Sequence, residues 1–298
     1  MRRFINKGLK KFWAAYFLCY NQIKNSAEVI DVIKIIFCDM DGTLLTGESK
    51  LPEGFDETIN ELKKRGVIFA PASGRQYFSL IETFSKYEDE FIFVADGGTI
   101  VFRHGKEMFS RPMDKKIALE IIHAGDTMEE ILRVYCGKED AYLLDFQNTP
   151  EYRAELLKYY THNVAVKTWE EIDDVPIKMS FFDATGHADK NIYPKLIKFS
   201  DEVQVLLSSD YWVDVMMPHV DKGSAVRKIQ QLLDIKPEEC AAFGDYLNDY
   251  EMFKSVGYSV AMANAHPELK KVAKFETVSN DEYGVLVGIK KFIDSGLI

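Results

Sequence analysis

Several features that would assign a chain to a particular class are scarce or missing in this sequence of 298 residues. There are four cysteines, Cys19, Cys38, Cys136 and Cys240, and no two of them form a Cys-x-x-Cys pair. Scattered cysteines argue against a disulfide framework and are typical of a reducing compartment, so we expect a cytoplasmic protein. No apolar run approaches the ~20 residues that a membrane-spanning helix needs, and no integral membrane segment is predicted.

Positive charge and histidine are also in short supply. The chain has 37 Lys and Arg against 47 Asp and Glu, which gives a net charge of −10. An acidic protein repels the phosphate backbone of nucleic acids, so no nucleic-acid partner is expected. The six histidines show no spacing typical of metal ligands and are interpreted as surface or core residues. The sequence does not indicate an oligomeric state.

The basic residues are concentrated at the start of the chain. Residues 1–25 contain six Lys or Arg and no Asp or Glu, and residues 12–20 form a short apolar run. This arrangement imitates a secretory leader, but no small-x-small cleavage site follows it. We interpret residues 1–30 as a basic N-terminal extension, with a membrane-surface helix as the alternative.

The most informative segment is residues 35–44, with the sequence IIFCDMDGTL. Its apolar first half is typical of a strand buried on both faces of a parallel sheet. Asp39 and Asp41 follow this strand, at the position where open α/β sheets bind ligands. Two carboxylates so close together repel each other unless a cation or a proton separates them. Mg²⁺, which is bound by few carboxylates and several waters, is the natural partner.

Like residues 35–44, three later segments combine small residues with polar ones. They are FAPASGR over residues 69–75, DKGSA over 221–225 and GDYLND over 244–249. In this order, the four segments resemble the motifs of the haloacid dehalogenase (HAD) superfamily of phosphohydrolases. A long insertion between the second and third motifs resembles the Cof-type subfamily, which carries a large α/β cap there. The resemblance covers nearly all of residues 33–298. Asp96-Gly97-Gly98 departs from it, because the family usually has Asn-Gly at that turn.

The alternation of apolar runs and amphipathic segments predicts an α/β fold with a Rossmann-like, doubly wound parallel-sheet core and an inserted α+β cap domain. We assign the core to residues 31–113 and 210–298 and the cap, which would select the substrate, to residues 114–209. Within the cap the pattern predicts a helix over residues 115–132. It also predicts one antiparallel sheet covered by helices on one face.

The resemblance implies a role for each polar motif residue. Asp39 would be the nucleophile, Asp41 the acid and base for the leaving group and the attacking water, and Lys222 a positive charge on the phosphoryl oxygens. Asp245 would bind Mg²⁺ together with the Asp39 carboxylate and the Asp41 backbone carbonyl. The remaining candidates are a supporting carboxylate, Asp249, which would act through water or orient Lys222, and the phosphate-binding set Ser73, Gly74, Arg75, Gly42 and Asn248.

Simpler interpretations of these residues remain open. Ser73 could be the N-cap of the helix that follows Arg75, and Arg75 itself could pair with surface acids. Lys222 taken alone would be a surface lysine. Asn248 and Asp249 could cap the next helix, which does not exclude a catalytic role.

The expected function is Mg²⁺-dependent hydrolysis of small phosphomonoesters through an aspartyl-phosphate intermediate. Sugar phosphates are the leading substrate class, and nucleotide phosphates, flavin mononucleotide and pyridoxal phosphate are the other candidates. One alternative is a phosphomutase or phosphotransferase of the same superfamily. Another is a non-catalytic phosphometabolite-binding protein, against which the complete set of motif residues argues.

Overall fold

A computed structural model of the chain describes residues 32–298, so the predicted N-terminal extension over residues 1–30 lies outside the described part. The described chain forms two compact units, one of residues 32–71 with Val226–Ile298 and one of Ala72–Ala225. The predicted core and cap boundaries stay a prediction. Among the helices of residues 32–298, none has the length and apolar character required to cross a bilayer.

Strands and helices alternate through most of the described chain. The strands are β1 (Ile35–Cys38), β2 (Ile68–Pro71), β3 (Ile92–Ala95), β4 (Ile100–Arg103), β5 (Lys106–Ser110), β6 (Ile131–Gly137), β7 (Ala141–Leu144), β8 (Asn163–Val166), β9 (Pro176–Asp183), β10 (Gln204–Leu207), β11 (Trp212–Met216), β12 (Cys240–Gly244), β13 (Tyr258–Ala261) and β14 (Phe275–Glu276). The helices are α1 (Phe55–Lys64), α2 (Tyr77–Phe84), α3 (Lys115–Ala124), α4 (Pro150–Tyr159), α5 (Ala188–Asn191), α6 (Tyr193–Leu196), α7 (Lys222–Leu233), α8 (Tyr250–Lys254), α9 (Pro267–Val272) and α10 (Gly284–Asp294).

The first unit is built on a parallel sheet with the strand order β14-β13-β12-β1-β2. All residues of β1 and β12 are buried, as expected for strands covered on both faces. Helix α1 packs against β2 and α10. It buries Phe55, Ile59 and Leu62, whose spacing places them on one face of the helix. The parallel sheet confirms the predicted α/β core.

The second unit contains two sheets. In the smaller sheet, β3, β4 and β5 pair antiparallel, and Ala72 forms an isolated parallel bridge with Val94 of β3. The larger sheet has the order β10-β11-β9-β6-β7-β8. It is not fully antiparallel as predicted, because β7 and β8 pair parallel. The physical reason is α4, which lies between these strands in sequence and makes their connection a crossover.

The predicted helix over residues 115–132 is wrong in its second half. Helix α3 begins after Asp114, whose side chain accepts a hydrogen bond from the Lys116 amide, and it ends before Gly125. Residues 131–137 form β6, which is buried throughout and pairs with β9. The apolar residues of β6 fit a buried strand as well as one face of a helix, so their pattern alone does not distinguish the two.

Candidate active site

The loop after β1 begins at the carboxyl end of the parallel sheet. The Asp39 amide donates to the Phe243 carbonyl at 3.0 Å, which extends the pairing of β1 with β12 by one residue. Residues 40–44 then form one wide turn, in which the Leu45 amide donates to the Met40 carbonyl at 2.9 Å. Gly42 has a φ of 78° within this turn. The turn leaves the Asp39 side chain buried and the Asp41 side chain exposed.

Three carboxylates meet at this edge of the sheet. Asp39 follows β1, Asp245 follows the neighbouring β12, and Asp249 lies four residues further on; one oxygen from each lies within 4.8 Å of the other two. Three anions at this separation repel one another unless a cation neutralises them. Carboxylate oxygens at the end of a buried sheet are ligands that suit Mg²⁺. The residues present therefore fit the predicted metal.

Neutral hydrogen-bond donors orient two of these carboxylates. The Thr43 hydroxyl donates to Asp245 Oδ1 at 2.8 Å. Asp249 Oδ2 accepts from the Asp245 amide at 3.0 Å and from the Tyr246 amide at 3.3 Å. Asp249 thus holds the backbone of the loop, and it also belongs to the carboxylate cluster. Its side chain makes no capping hydrogen bond to the helix that begins at Tyr250. Thr43 was not singled out from the sequence, although it follows the Asp-x-Asp-Gly segment directly.

Asn264 is a second residue that the sequence analysis did not single out. Its amide nitrogen donates to the Gly42 carbonyl at 2.8 Å, and its amide oxygen accepts from the Asn280 amide at 3.2 Å. The side chain therefore connects the wide turn to a loop that is distant in sequence. The sequence feature that could have identified Asn264 is its position in the segment that directly follows β13.

Two predicted site residues present exposed side chains. Asp41 does not contribute its carboxylate to the cluster. Its roles as acid and base and as a metal ligand through its backbone carbonyl stay predictions. Asn248 is exposed in the turn between Asp245 and Asp249. Its phosphate-binding role stays a prediction.

Ser73, Gly74 and Arg75 lie in the second unit. The Ser73 side chain is buried, and its hydroxyl oxygen accepts from the Arg75 amide at 3.2 Å. Helix α2 begins at Tyr77 and its N-cap is Gln76, so the alternative that Ser73 caps this helix is wrong. The Arg75 guanidinium lies 5.8 Å from the centre of the Tyr159 ring, where a cation–π contact supports it.

Lys222 is the first residue of α7, also in the second unit. Asp221 caps this helix: its carboxylate accepts from the Ser224 amide at 2.6 Å, and its own amide donates to the Ser224 hydroxyl at 3.0 Å. Lys222 is only 2 % exposed, so its interpretation as a surface lysine is wrong. A lysine buried at a helix start needs a nearby negative group. Its role on the phosphoryl oxygens stays a prediction.

Comparison of the sequence with known protein families identifies the family to which this chain belongs. The model of the haloacid dehalogenase-like hydrolases matches residues 36–289. The chain belongs to the haloacid dehalogenase-like hydrolase family. This confirms the resemblance predicted from the four motifs. Together with its phosphatase relatives, it makes the protein a Cof-type phosphatase of the HAD superfamily.

Relatives of this HAD-superfamily phosphatase match it over most of its length. It is 31% identical over 268 residues to the Escherichia coli 5-amino-6-(5-phospho-D-ribitylamino)uracil phosphatase YbjI, which covers 88% of this chain and 96% of the relative. The crystal structure of SMU.1108c from Streptococcus mutans superimposes with a TM-score of 0.79 at 24% identity, covering 88% of this chain and 99% of that one.

A further solved structure, the HAD subclass IIB sugar phosphatase BT4131, has a TM-score of 0.74 at 21% identity and covers 89% of this chain and 100% of that one. At these identities the two solved structures show the fold alone. They confirm the Rossmann-like core with a cap that was predicted from the sequence.

Proposed function

We propose that this phosphatase hydrolyses small phosphomonoesters in a Mg²⁺-dependent reaction through a phosphorylated Asp39. The observation that carries the proposal is the cluster of Asp39, Asp245 and Asp249, whose carboxylate oxygens lie within 4.8 Å of one another at the carboxyl edge of the sheet. Asp39 and Asp249 are buried and Asp245 is half-buried. Such a cluster of three negative charges is a poor structural element, because burial penalises a charge. It is a suitable site for a divalent cation and a phosphate dianion.

The residues that would hold Mg²⁺ are Asp39 and Asp245, with Asp249 beside them and the Asp41 backbone carbonyl as the further expected ligand. When bound, Mg²⁺ supplies positive charge that reduces the repulsion between the Asp39 carboxylate and a phosphate dianion. Thr43 and the backbone amides that contact Asp249 keep the carboxylates in place. Such supporting contacts commonly set metal affinity.

The chemistry follows from the two aspartates of the loop after β1. Asp39 attacks phosphorus, a bond forms between its carboxylate oxygen and phosphorus, and the ester bond to the leaving alcohol breaks. Asp41 donates its proton to the leaving oxygen. It then accepts a proton from the water that attacks phosphorus, which releases inorganic phosphate and restores the Asp39 carboxylate.

For the second unit, the proposal rests on the motifs of the sequence. Ser73, Gly74 and Lys222 would contact the phosphoryl oxygens, with a hydroxyl, an amide and an ammonium group as donors for the charge that develops during transfer. Arg75 and Asn248 are the further candidates for phosphate contacts. The absence of a side chain at Gly42 would let its backbone approach the phosphate.

Sugar phosphates and related polyol phosphates are the proposed substrate class. The support comes from two names: the E. coli relative is a phosphatase of a phosphoribityl compound, and BT4131 is named a sugar phosphatase. A panel of sugar, nucleotide, flavin and pyridoxal phosphates, compared by kcat/KM with Mg²⁺, tests the class. A preference for a non-sugar phosphate would contradict it.

The decisive experiment for the mechanism is Asp39→Asn, measured with p-nitrophenyl phosphate and Mg²⁺. Asparagine keeps the shape of the side chain but is not a nucleophile, so we expect turnover to disappear. Asp294→Asn is the matched control, because Asp294 pairs with Lys290 on the exposed face of α10 and should be dispensable. Full activity of Asp39→Asn would refute the assignment of the nucleophile.

A further inference from the structure

A buried ion pair in the second unit lies beside the loop of residues 73–76. Lys178 Nζ, on β9, is 3.0 Å from Asp96 Oδ1, in the turn that follows β3. Both residues are only 1 % exposed. Removing two charges from water is costly, and an apolar pair of the same size would often be at least as stable. Stability alone therefore does not account for this pair.

The pair and its turn hold three consecutive carbonyl groups of the loop. The Ser73 carbonyl accepts from the Gly97 amide at 2.8 Å, and the Arg75 carbonyl accepts from the Asp96 amide at 2.9 Å. Between them, the Gly74 carbonyl accepts from Lys178 Nζ at 3.0 Å. Lys178 is thus the side chain that completes a row of donors along one side of the loop.

Fixing the carbonyl groups also fixes the amides on the opposite side. In a trans peptide the C=O and N–H bonds point in opposite directions, so an anchored carbonyl sets the direction of the next N–H. The Arg75 amide donates to the Ser73 hydroxyl oxygen and the Gln76 amide to the Tyr159 carbonyl. For the Gly74 amide, the described residues provide no acceptor. It is the amide of this loop that remains for a ligand.

We propose that Lys178 and Asp96 are positioning residues for the phosphate-binding loop. Lys178 anchors the Gly74 carbonyl and so directs the Arg75 amide, which donates to the Ser73 hydroxyl oxygen. Asp96 anchors Lys178, and the Gly97 amide of the same turn anchors the Ser73 carbonyl and so directs the Gly74 amide. Together these contacts aim the Ser73 hydroxyl and the Gly74 amide at the phosphoryl group. This inference rests on the proposed function, because it takes the loop to be the phosphate site. It assigns a role to two residues outside the four motifs. It also explains why an aspartate rather than an asparagine occupies position 96, since only a carboxylate balances the buried ammonium group.

The surroundings of Lys178 support Asp96 as its counter-ion. A second carboxylate that acts electrostatically on Lys178, Asp214, accepts from the Ser180 hydroxyl at 2.5 Å and from the Ser208 hydroxyl at 2.6 Å. The Tyr160 ring lies 5.4 Å from Lys178 Nζ, and its hydroxyl donates to Ser180 at 2.9 Å. Burial raises the pKa of the Asp96 carboxyl, and the adjacent Lys178 ammonium opposes that rise.

The test compares Asp96→Asn/Lys178→Met in the wild-type and in the Ser73→Ala background. The double change removes both charges together and leaves no unpaired buried ion. Measurements are kcat/KM for p-nitrophenyl phosphate with Mg²⁺, the inhibition constant of inorganic phosphate, and Tm. Lys138→Met is the matched control, because Lys138 pairs with Glu107 at the surface at 2.8 Å; it should change kcat/KM by less than about twofold.

We expect the double change to lower kcat/KM at least about tenfold in the wild-type background and to weaken phosphate inhibition. In the Ser73→Ala background the same double change should lower kcat/KM less than about threefold, because the effects of substitutions that act through one loop are not additive. Equal losses in both backgrounds, or a double variant within twofold of wild type, would overturn the proposal. If the double variant does not fold, Lys178→Arg replaces it. This change keeps the charge but moves the hydrogen-bond donor, and its loss of kcat/KM is compared in the same two backgrounds.

An inactive wild-type protein would refute the proposed function rather than the positioning role. In that case the positioning role is tested by measuring the binding of inorganic phosphate by calorimetry in the presence of Mg²⁺. Weaker binding to Asp96→Asn/Lys178→Met than to wild type would support it, and equal or undetectable binding would overturn it.

Discussion

The carboxylate of Asp245 occupies the space in which a side chain at residue 42 would begin. A β-carbon on Gly42 would lie 2.4 Å from Asp245 Oδ2, closer than any real contact permits. Gly42 also has a φ of 78°, a conformation that other residues rarely adopt. Two independent constraints therefore select glycine here, the backbone of the turn and the placement of the Asp245 carboxylate, a proposed metal ligand.

Gly42→Ala should raise the Mg²⁺ concentration for half-maximal activity at least about tenfold, because the new methyl group must displace the Asp245 carboxylate. Gly66→Ala is the matched control: Gly66 has a φ of 73°, but a β-carbon there would meet nothing within 4 Å. Both variants should lose about 1 kcal/mol of stability from backbone strain. A Mg²⁺ requirement that is the same in the two variants would contradict the role of Asp245 as a metal ligand.

Thr43→Val tests whether orientation of the Asp245 carboxylate matters. Valine has the same shape as threonine but cannot donate the 2.8 Å hydrogen bond to Asp245 Oδ1. Loss of such a supporting contact typically lowers metal affinity about 10–100-fold, so the Mg²⁺ requirement should rise while activity at saturating Mg²⁺ largely returns. Thr58→Val, which removes a hydroxyl bonded to the Gly54 carbonyl instead, should leave the Mg²⁺ requirement unchanged.

Asp41→Asn should lower kcat/KM to different extents for substrates with different leaving groups. An alkoxide needs a proton as it leaves, whereas p-nitrophenolate is stable without one. If Asp41 is the general acid, its loss should reduce kcat/KM about 10²–10⁴-fold for a sugar phosphate and much less for p-nitrophenyl phosphate. Wild-type and variant rates measured with both substrates decide the point. An equal loss for both would assign Asp41 a role other than protonation.

The sequence predicted most of what depends on local pattern. The buried strand before Asp39 was expected, and the motif over residues 244–249 pointed to Asp245 as its partner. The structure adds that the strands before the two residues are parallel neighbours, which end at the same edge of the sheet. What the sequence did not reveal were contacts between residues far apart in the chain. The pairing of Lys178 with Asp96 and of Asn264 with Gly42 depends on how separate elements pack, and one sequence carries no record of that.

Two wrong predictions within residues 114–209 also arose because contacts between distant residues decide the structure there. Residues 131–132 could continue the apolar face of the preceding helix, and only pairing with β9 makes them part of a strand. The strand over residues 163–166 was missed because three of its four residues are not fully buried, which leaves a weak pattern. Tertiary contacts decided both segments.

His123 provides a pH-dependent test that is independent of catalysis. Its ring nitrogens lie 2.8 Å from Asp126 Oδ2 and 2.8 Å from Glu170 Oε1. The hydrogen bond to Asp126, and less strongly the one to Glu170, raises the pKa of His123 above its usual 6.5. The folded state therefore binds a proton more tightly than the unfolded state, so this contribution to stability is complete below about pH 6.5 and is lost as the pH rises through the raised pKa.

We expect wild type to be more stable than His123→Gln at about pH 5.5, with a difference in Tm that shrinks steadily toward about pH 8.5. All three side chains are partly exposed, so added salt should reduce the difference at low pH. Thermal unfolding of both proteins across this range, at low and high salt, measures it. A difference that grows with pH would mean that the folded protein prefers the neutral imidazole, since only then would deprotonation favour the native state. The carboxylates on either side of the ring would in that case not be its stabilising partners.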